Sequence, residues 1–81
     1  MSTPDRIDLP GAWARCALTI GELWLAHVAL GGTGTCRHVL ALVEGLVPAS
    51  PSEHLVLAHA FNEHFAERQE PVRVASPGSI G

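Results

Sequence analysis

The feature that most constrains this chain is the stretch of residues 11–30, GAWARCALTIGELWLAHVAL, which has the pattern of one long amphipathic helix. On a helix that turns about 100° per residue, the apolar side chains cover a wide face and leave only a narrow polar stripe. The centre of this face collects Trp13, Ile20, Trp24, His27 and Val28. Two flanking helices could not cover so wide a face, so we predict that these five residues form an interface.

The composition indicates one small helical domain. A chain of 81 residues buries only about 60% of its unfolded surface, so self-association would add to a thin core. Hydrophobic residues make up 47% of the chain and charged residues 16%, a balance that excludes intrinsic disorder. Aromatic residues are only 5%, so aliphatic side chains must fill the core, which favours close helix packing.

The charge argues against an anionic partner. The formal net charge is -3, and the five basic residues are all arginines scattered along the chain. Nucleic acids and anionic membranes are bound by clustered positive charge, so neither is an expected direct partner.

Two features predict a cytoplasmic protein. The N-terminal sequence MSTPDRIDLP has no apolar segment of the kind found in secretory signals. Cys16 and Cys36 lie in or beside apolar helical stretches, as free thiols do in a reducing compartment. The stretch 11–30 is long enough to cross a membrane, but Arg15 and Glu22 interrupt it, so we do not expect a span.

Two further helices follow a glycine-rich turn, Gly31-Gly32-Thr33-Gly34. The second helix is predicted over 36–46 because its apolar residues recur at helical spacing. The third begins at the sequence Ser50-Pro51-Ser52-Glu53, a capping box with proline at the first helical position, and runs to about Gln69.

The predicted fold is therefore all-α, a small three-helix domain with a long first helix and frayed termini. Residues 1–10 are expected to form a flexible arm, residues 11–70 the three-helix domain and residues 71–81 a flexible tail. Within that tail, residues 72–74 have the sequence Val-Arg-Val and could lie alongside the domain as a short extended segment.

No residue pattern predicts catalysis, a cofactor or a metal. His54, His59 and His64 are five residues apart, which turns each ring about 140° from the last and prevents a shared metal site. Cys36 and His38 are two residues apart and point to different sides of a helix, so they do not make a nucleophile and base. We therefore expect a protein that is not an enzyme.

The turn at residues 31–35, GGTGT, has some likeness to a phosphate-binding loop. It lacks the Lys-Ser/Thr ending of such loops and follows a helix rather than a strand, so we interpret it as a turn.

Several short motifs resemble those of short, uncharacterised actinobacterial helical proteins. They are Leu-Trp at 23–24, Ala-Leu-Gly-Gly-Thr at 29–33, Glu-Gly-Leu-x-Pro at 44–48, and the run from Glu53 to Glu63 with the pattern E-H-x-x-L-A-x-A-x-N-E. The resemblance covers residues 23–67 and implies a high-GC bacterial source, which suits a chain without lysine. It implies no activity and no site residue.

These observations favour a small cytoplasmic protein-binding or regulatory module that forms a homodimer or docks on a larger protein through the predicted first helix. One alternative is a DNA-associated regulator in which the second and third helices form a helix-turn-helix, although Glu53, Glu63 and Glu67 make the third helix acidic. A second alternative is a non-catalytic accessory subunit of an enzyme.

Overall fold

The structure, a computed structural model, describes residues 5–74, with only the backbone described at Asp5. This part of the chain is predominantly helical. In chain order its elements are β1 (Asp5–Ile7), α1 (Leu9–Arg15), α2 (Ile20–Ala29), α3 (Cys36–Val43), α4 (Pro51–Glu67) and β2 (Val72–Val74). Among the described residues, no helix has the length and apolar character needed to cross a membrane.

The predicted single helix over 11–30 is wrong, because two helices form there, and residues 5–74 contain four helices rather than three. The helix stops at Cys16, whose backbone is extended (φ -78, ψ 159). A capping box then starts α2: the Thr19 hydroxyl accepts the Glu22 amide at 3.2 Å, and the Glu22 carboxylate accepts the Thr19 amide at 2.8 Å. In a continuous helix the Thr19 and Glu22 amides would donate to backbone carbonyls of the preceding turn. Here side chains accept from them instead, which favours a new helix start at this point.

The other helix starts also depend on side-chain caps. The Asp8 carboxylate accepts the Gly11 amide at 2.8 Å and caps α1, whose start lies at Leu9. The Thr35 hydroxyl accepts the His38 amide at 3.1 Å and caps α3. Each cap supplies an acceptor to an amide that has no partner inside its own helix.

The predicted capping box at the start of α4 is present. The Ser50 hydroxyl accepts the Glu53 amide at 3.2 Å, and the Glu53 carboxylate accepts the Ser50 amide at 2.9 Å. Pro51 occupies the first helical position, where its missing N–H costs no hydrogen bond.

Residues 5–7 and 72–74 pair as a two-stranded parallel sheet, with Arg6 opposite Arg73. Both segments belong to ends that are predicted to be flexible, and the remaining parts of those ends, 1–4 and 75–81, lie outside the described residues. Val72 and Val74 are buried. The Asn62 side chain accepts the Val74 amide at 2.7 Å and donates to its carbonyl at 3.2 Å, which fixes β2 on α4.

The core lies where α2, α3 and α4 meet and extends under α1 and β2. In α4, Leu57, Phe61 and Phe65 recur every four residues and are fully buried, with the two phenyl rings stacked at 6.2 Å. Leu23 of α2 packs on the same cluster. Aliphatic side chains and two aromatic rings thus fill a core that the composition predicts to be mainly aliphatic.

We expect Ser50→Ala to lower the free energy of unfolding by about 0.5–2 kcal/mol, because the Glu53 amide loses its acceptor. Chemical denaturation followed by circular dichroism measures this change. Ser52→Ala is the control for loss of a hydroxyl in the same turn, because it removes only the 3.3 Å contact with the Ser50 hydroxyl and leaves the acceptor of the Glu53 amide in place. An unchanged Ser50→Ala midpoint would show that the cap does not stabilise α4.

Candidate functional site

The five residues predicted to form one interface lie on two helices and differ in their exposure. Trp13 lies on α1, whereas the other four lie on α2. Trp13, Ile20 and Trp24 are partly buried against the core, His27 is only 1% exposed, and Val28 is 45% exposed. The predicted face assumed a continuous helical rotation from residue 13 to residue 28, and the extended backbone after Cys16 ends that rotation.

The side of α2 that faces away from the core carries exposed apolar side chains. Leu25 is 62% exposed and Val28 45% exposed, and Ala29 beside them is also exposed. These three residues are here called the α2 outer face. Val28 and Ala29 follow Leu25 by three and four positions and therefore adjoin it on the helix surface. Leu25 is not among the five predicted interface residues, because on one continuous helix it lies at the far edge of the apolar face.

Two other parts of the described surface expose large apolar side chains. Leu46, 73% exposed, and Val47, 37% exposed, follow α3 and border a groove of about 480 Å³ that also contains Leu9, Pro10 and Leu42. On α4, Leu55 is 55% exposed. The exposed large apolar residues thus lie on two helices and in the loop after α3. Only on α2 do two of them adjoin on one regular helix within the described residues.

Two side chains of α2 bind the turn that follows it. The Trp24 indole N–H donates to the Gly34 carbonyl at 3.1 Å. His27 Nε2 lies 2.9 Å from the Thr33 carbonyl oxygen, which can only accept, so Nε2 is the donor. His27 Nδ1 is buried and has no hydrogen-bond partner among the described residues. The turn is thereby held on α2, and the Trp24 ring is held in one orientation.

This turn requires glycine at two kinds of position. A Cβ atom at Gly32 would overlap the His27 ring at Nε2, so no side chain fits there unless the ring moves. Gly31 and Gly34 have φ angles of 89° and 109°, in the region that favours glycine. The glycine cluster is therefore explained by packing and turn geometry, in agreement with its interpretation as a turn rather than a phosphate-binding loop.

A small cavity of about 90 Å³ lies between this turn and the start of α4, lined in part by His27, Thr33 and Glu53. Beside it, His38 Nε2 donates to the Glu53 carboxylate at 2.6 Å and joins α3 to α4. The Ser50 amide, then the His38 ring and the Ser50 hydroxyl, lower the pKa of Glu53 to about 2. In some active sites a carboxylate orients a histidine that acts as a base. Here the His38–Glu53 hydrogen bond joins two helices, which is a structural role.

The remaining histidines and cysteines are engaged in contacts between or within elements. His59 pairs with Glu63 at 3.0 Å on α4, and His64 accepts the Ala17 amide at 3.2 Å. Cys16 donates to the Trp13 carbonyl, and burial raises the pKa of its thiol. Within residues 5–74, no three His, Cys, Asp or Glu side chains are grouped so that they could hold a metal ion.

We expect Gly32→Ala to lower the free energy of unfolding by about 1–3 kcal/mol, because the added methyl group overlaps the His27 ring. Gly21→Ala is the matched control. Its Cβ would find only the Thr19 hydroxyl, at 4.0 Å, so it should raise stability by up to about 1 kcal/mol. Thermal unfolding of both variants distinguishes a steric effect at Gly32 from a general effect of replacing glycine.

The Glu53 contacts also predict a pH dependence. Because the folded-state pKa is lowered from 4.5 to about 2, the ionised carboxylate stabilises the fold above about pH 4.5. This contribution is lost as the pH falls towards 2. We expect Glu53→Gln to flatten the dependence of the free energy of unfolding on pH in that window. Glu67→Gln, at the other end of α4 where the residue is exposed, is the control and should leave the slope closer to that of the wild type.

Comparison with protein-family models, curated proteins and solved structures finds no match for this chain. The resemblance to short actinobacterial helical proteins therefore stays a prediction from its motifs. The function has to be argued from the described surface itself.

Proposed function

We propose that this domain is a small protein-binding or regulatory module that associates through the α2 outer face, formed by Leu25, Val28 and Ala29. The observation that carries the proposal is the exposure of Leu25 and Val28, at 62% and 45%, on adjacent turns of one helix. The partner can be a second copy of this chain or a larger protein, and both would bind the same surface. Self-association can be measured with the purified chain alone.

Burial of this face would stabilise a complex. Covering a leucine or valine side chain contributes about 1.5–3 kcal/mol relative to leaving it in water. Such gains must exceed the cost of lost translational and side-chain freedom, so contacts with already ordered side chains are favoured.

Trp24 supplies an ordered side chain next to this face. It lies one turn before Val28, is partly exposed, and its indole N–H is held on the Gly34 carbonyl. A tryptophan that is fixed before binding loses little conformational freedom on association, and tryptophan is enriched among residues that dominate binding energy.

The charges near this surface favour a protein over a nucleic acid. Neither α2 nor α4 contains a lysine or arginine, and α4 carries Glu53, Glu63 and Glu67. Phosphate contacts depend on basic side chains, so these helices lack the groups that a helix-turn-helix reader uses. An accessory subunit of an enzyme would also need an apolar docking face. Identifying the partner would distinguish that role from a regulatory one.

We expect the double variant Leu25→Ser, Val28→Ser to weaken association by about 2 kcal/mol or more, roughly a thirtyfold change in the dissociation constant. Its stability should change little, because both side chains are largely exposed. Light scattering coupled to size-exclusion chromatography over a range of concentrations measures the association. Trp24→Ala is less informative, because Trp24 also packs against the core.

Leu55→Ser is the matched control, since Leu55 is similarly exposed, at 55%, but lies on α4. An equal loss of association in this variant would contradict the assignment to α2. A wild-type chain that stays monomeric at all concentrations would overturn self-association. A salt-sensitive complex with duplex DNA would instead favour the DNA-associated alternative.

A further inference from the structure

One long-range hydrogen bond ties the break between α1 and α2 to α4. Residues 16–19, here called the α1–α2 corner, include Ala17, whose amide donates to His64 Nε2 at 3.2 Å. His64 is partly buried near the C-terminal end of α4, and its ring lies against Phe65 with the ring centres 5.6 Å apart.

This bond requires a neutral imidazole. Nε2 can accept the Ala17 amide only while it carries no proton, because a protonated ring has N–H groups on both nitrogens and accepts no hydrogen bond. We propose that the Ala17–His64 contact is an acid-sensitive switch, in which protonation of His64 releases the α1–α2 corner from α4. Histidine is the side chain suited to such a change between about pH 5 and 8.

The Thr19 amide and hydroxyl, and to a smaller extent the charge of His64, lower the pKa of Glu22 in the first turn of α2. The Glu22 carboxylate caps α2 by accepting the Thr19 amide, and Thr19 also belongs to the corner. Protonation of His64 therefore removes the acceptor of Ala17 and adds positive charge to a ring that interacts electrostatically with Glu22.

Other titratable groups lie near the contact. From the corner itself, Cys16 precedes Ala17, and its thiol experiences the charge of Glu70 from the turn after α4. On α4, Glu67 and Arg68 follow His64 by three and four residues, with charges of opposite sign.

The described contacts of two other histidines respond differently to acid. His38 and His59 each place Nε2 beside a carboxylate oxygen, of Glu53 and Glu63 respectively. A ring nitrogen that donates to oxygen keeps its hydrogen bond after the ring takes up a proton. Protonation also converts the two carboxylate contacts into ion pairs. Mild acid is therefore expected to loosen the corner while α3 stays joined to α4.

Nuclear magnetic resonance of the full chain between pH 8 and 5 tests the proposal. The ring resonances of His64 report its protonation, and the Ala17 amide reports the contact. We expect the Ala17 shift to follow the His64 titration. Amide exchange at Ala17, corrected for its intrinsic pH dependence, should increase about fivefold as the bond is lost. Amides in the middle of α4 should keep their protection.

Two variants separate this contact from general effects of acid. In His64→Gln the side-chain carbonyl can accept at every pH, so the response of Ala17 should disappear. In His59→Gln, on the same helix, it should remain. An Ala17 amide that is unchanged while the His64 ring titrates would overturn the proposal, as would a full response in His64→Gln. If His64→Gln fails to fold, the correlation between the two resonances in the wild type still decides the question.

Discussion

The packing of the His27 ring against the turn after α2 is the constraint on which the arrangement of the helices depends. The ring is buried, donates to the Thr33 carbonyl at 2.9 Å and occupies the space that a side chain at Gly32 would need. Trp24, one turn earlier, holds Gly34. The exit from α2 is therefore fixed by two side chains of α2 itself, and α3 starts at a defined position. From there His38 reaches Glu53 at the start of α4.

These polar contacts also explain why the outer surface of α2 remains apolar. Leu23 and His27, four residues apart, face the core, and the Trp24 indole contacts the loop after α2 at Gly34. Leu25 and Val28 then lie outside both sets of contacts and stay exposed. The proposed association surface is a consequence of how α2 is oriented. On a single long helix, the apolar side chains would all lie on one wide face. In the folded chain some of them enter the core and others remain exposed.

The break between α1 and α2 shows how a local hydrogen-bond pattern can override apolar periodicity. Thr19 and Glu22 have the spacing of a capping box, as do Ser50 and Glu53, and both boxes form. At Ser50 the pattern is easily seen because a loop precedes it and Pro51 follows. At Thr19 it lies within a continuous apolar run, so the periodicity of residues 11–30 predicts a helix where the chain places a corner. That corner brings Ala17 to His64, which no spacing in the sequence indicates.

The sequence alone determined the cap of α4, where Ser50 and Glu53 lie three positions apart with Pro51 between them, and the glycine turn after α2. Such contacts close within one helical turn, and their partners can be identified by counting along the chain. Only the tertiary structure decided the pairing of residues 5–7 with 72–74, the burial of His27 and the exposure of Leu25. Strands of three residues are stable only against a partner and a core, and their partner is far along the sequence. Which face of a short helix is buried depends on where that helix begins and what packs on it, and these are properties of the folded chain.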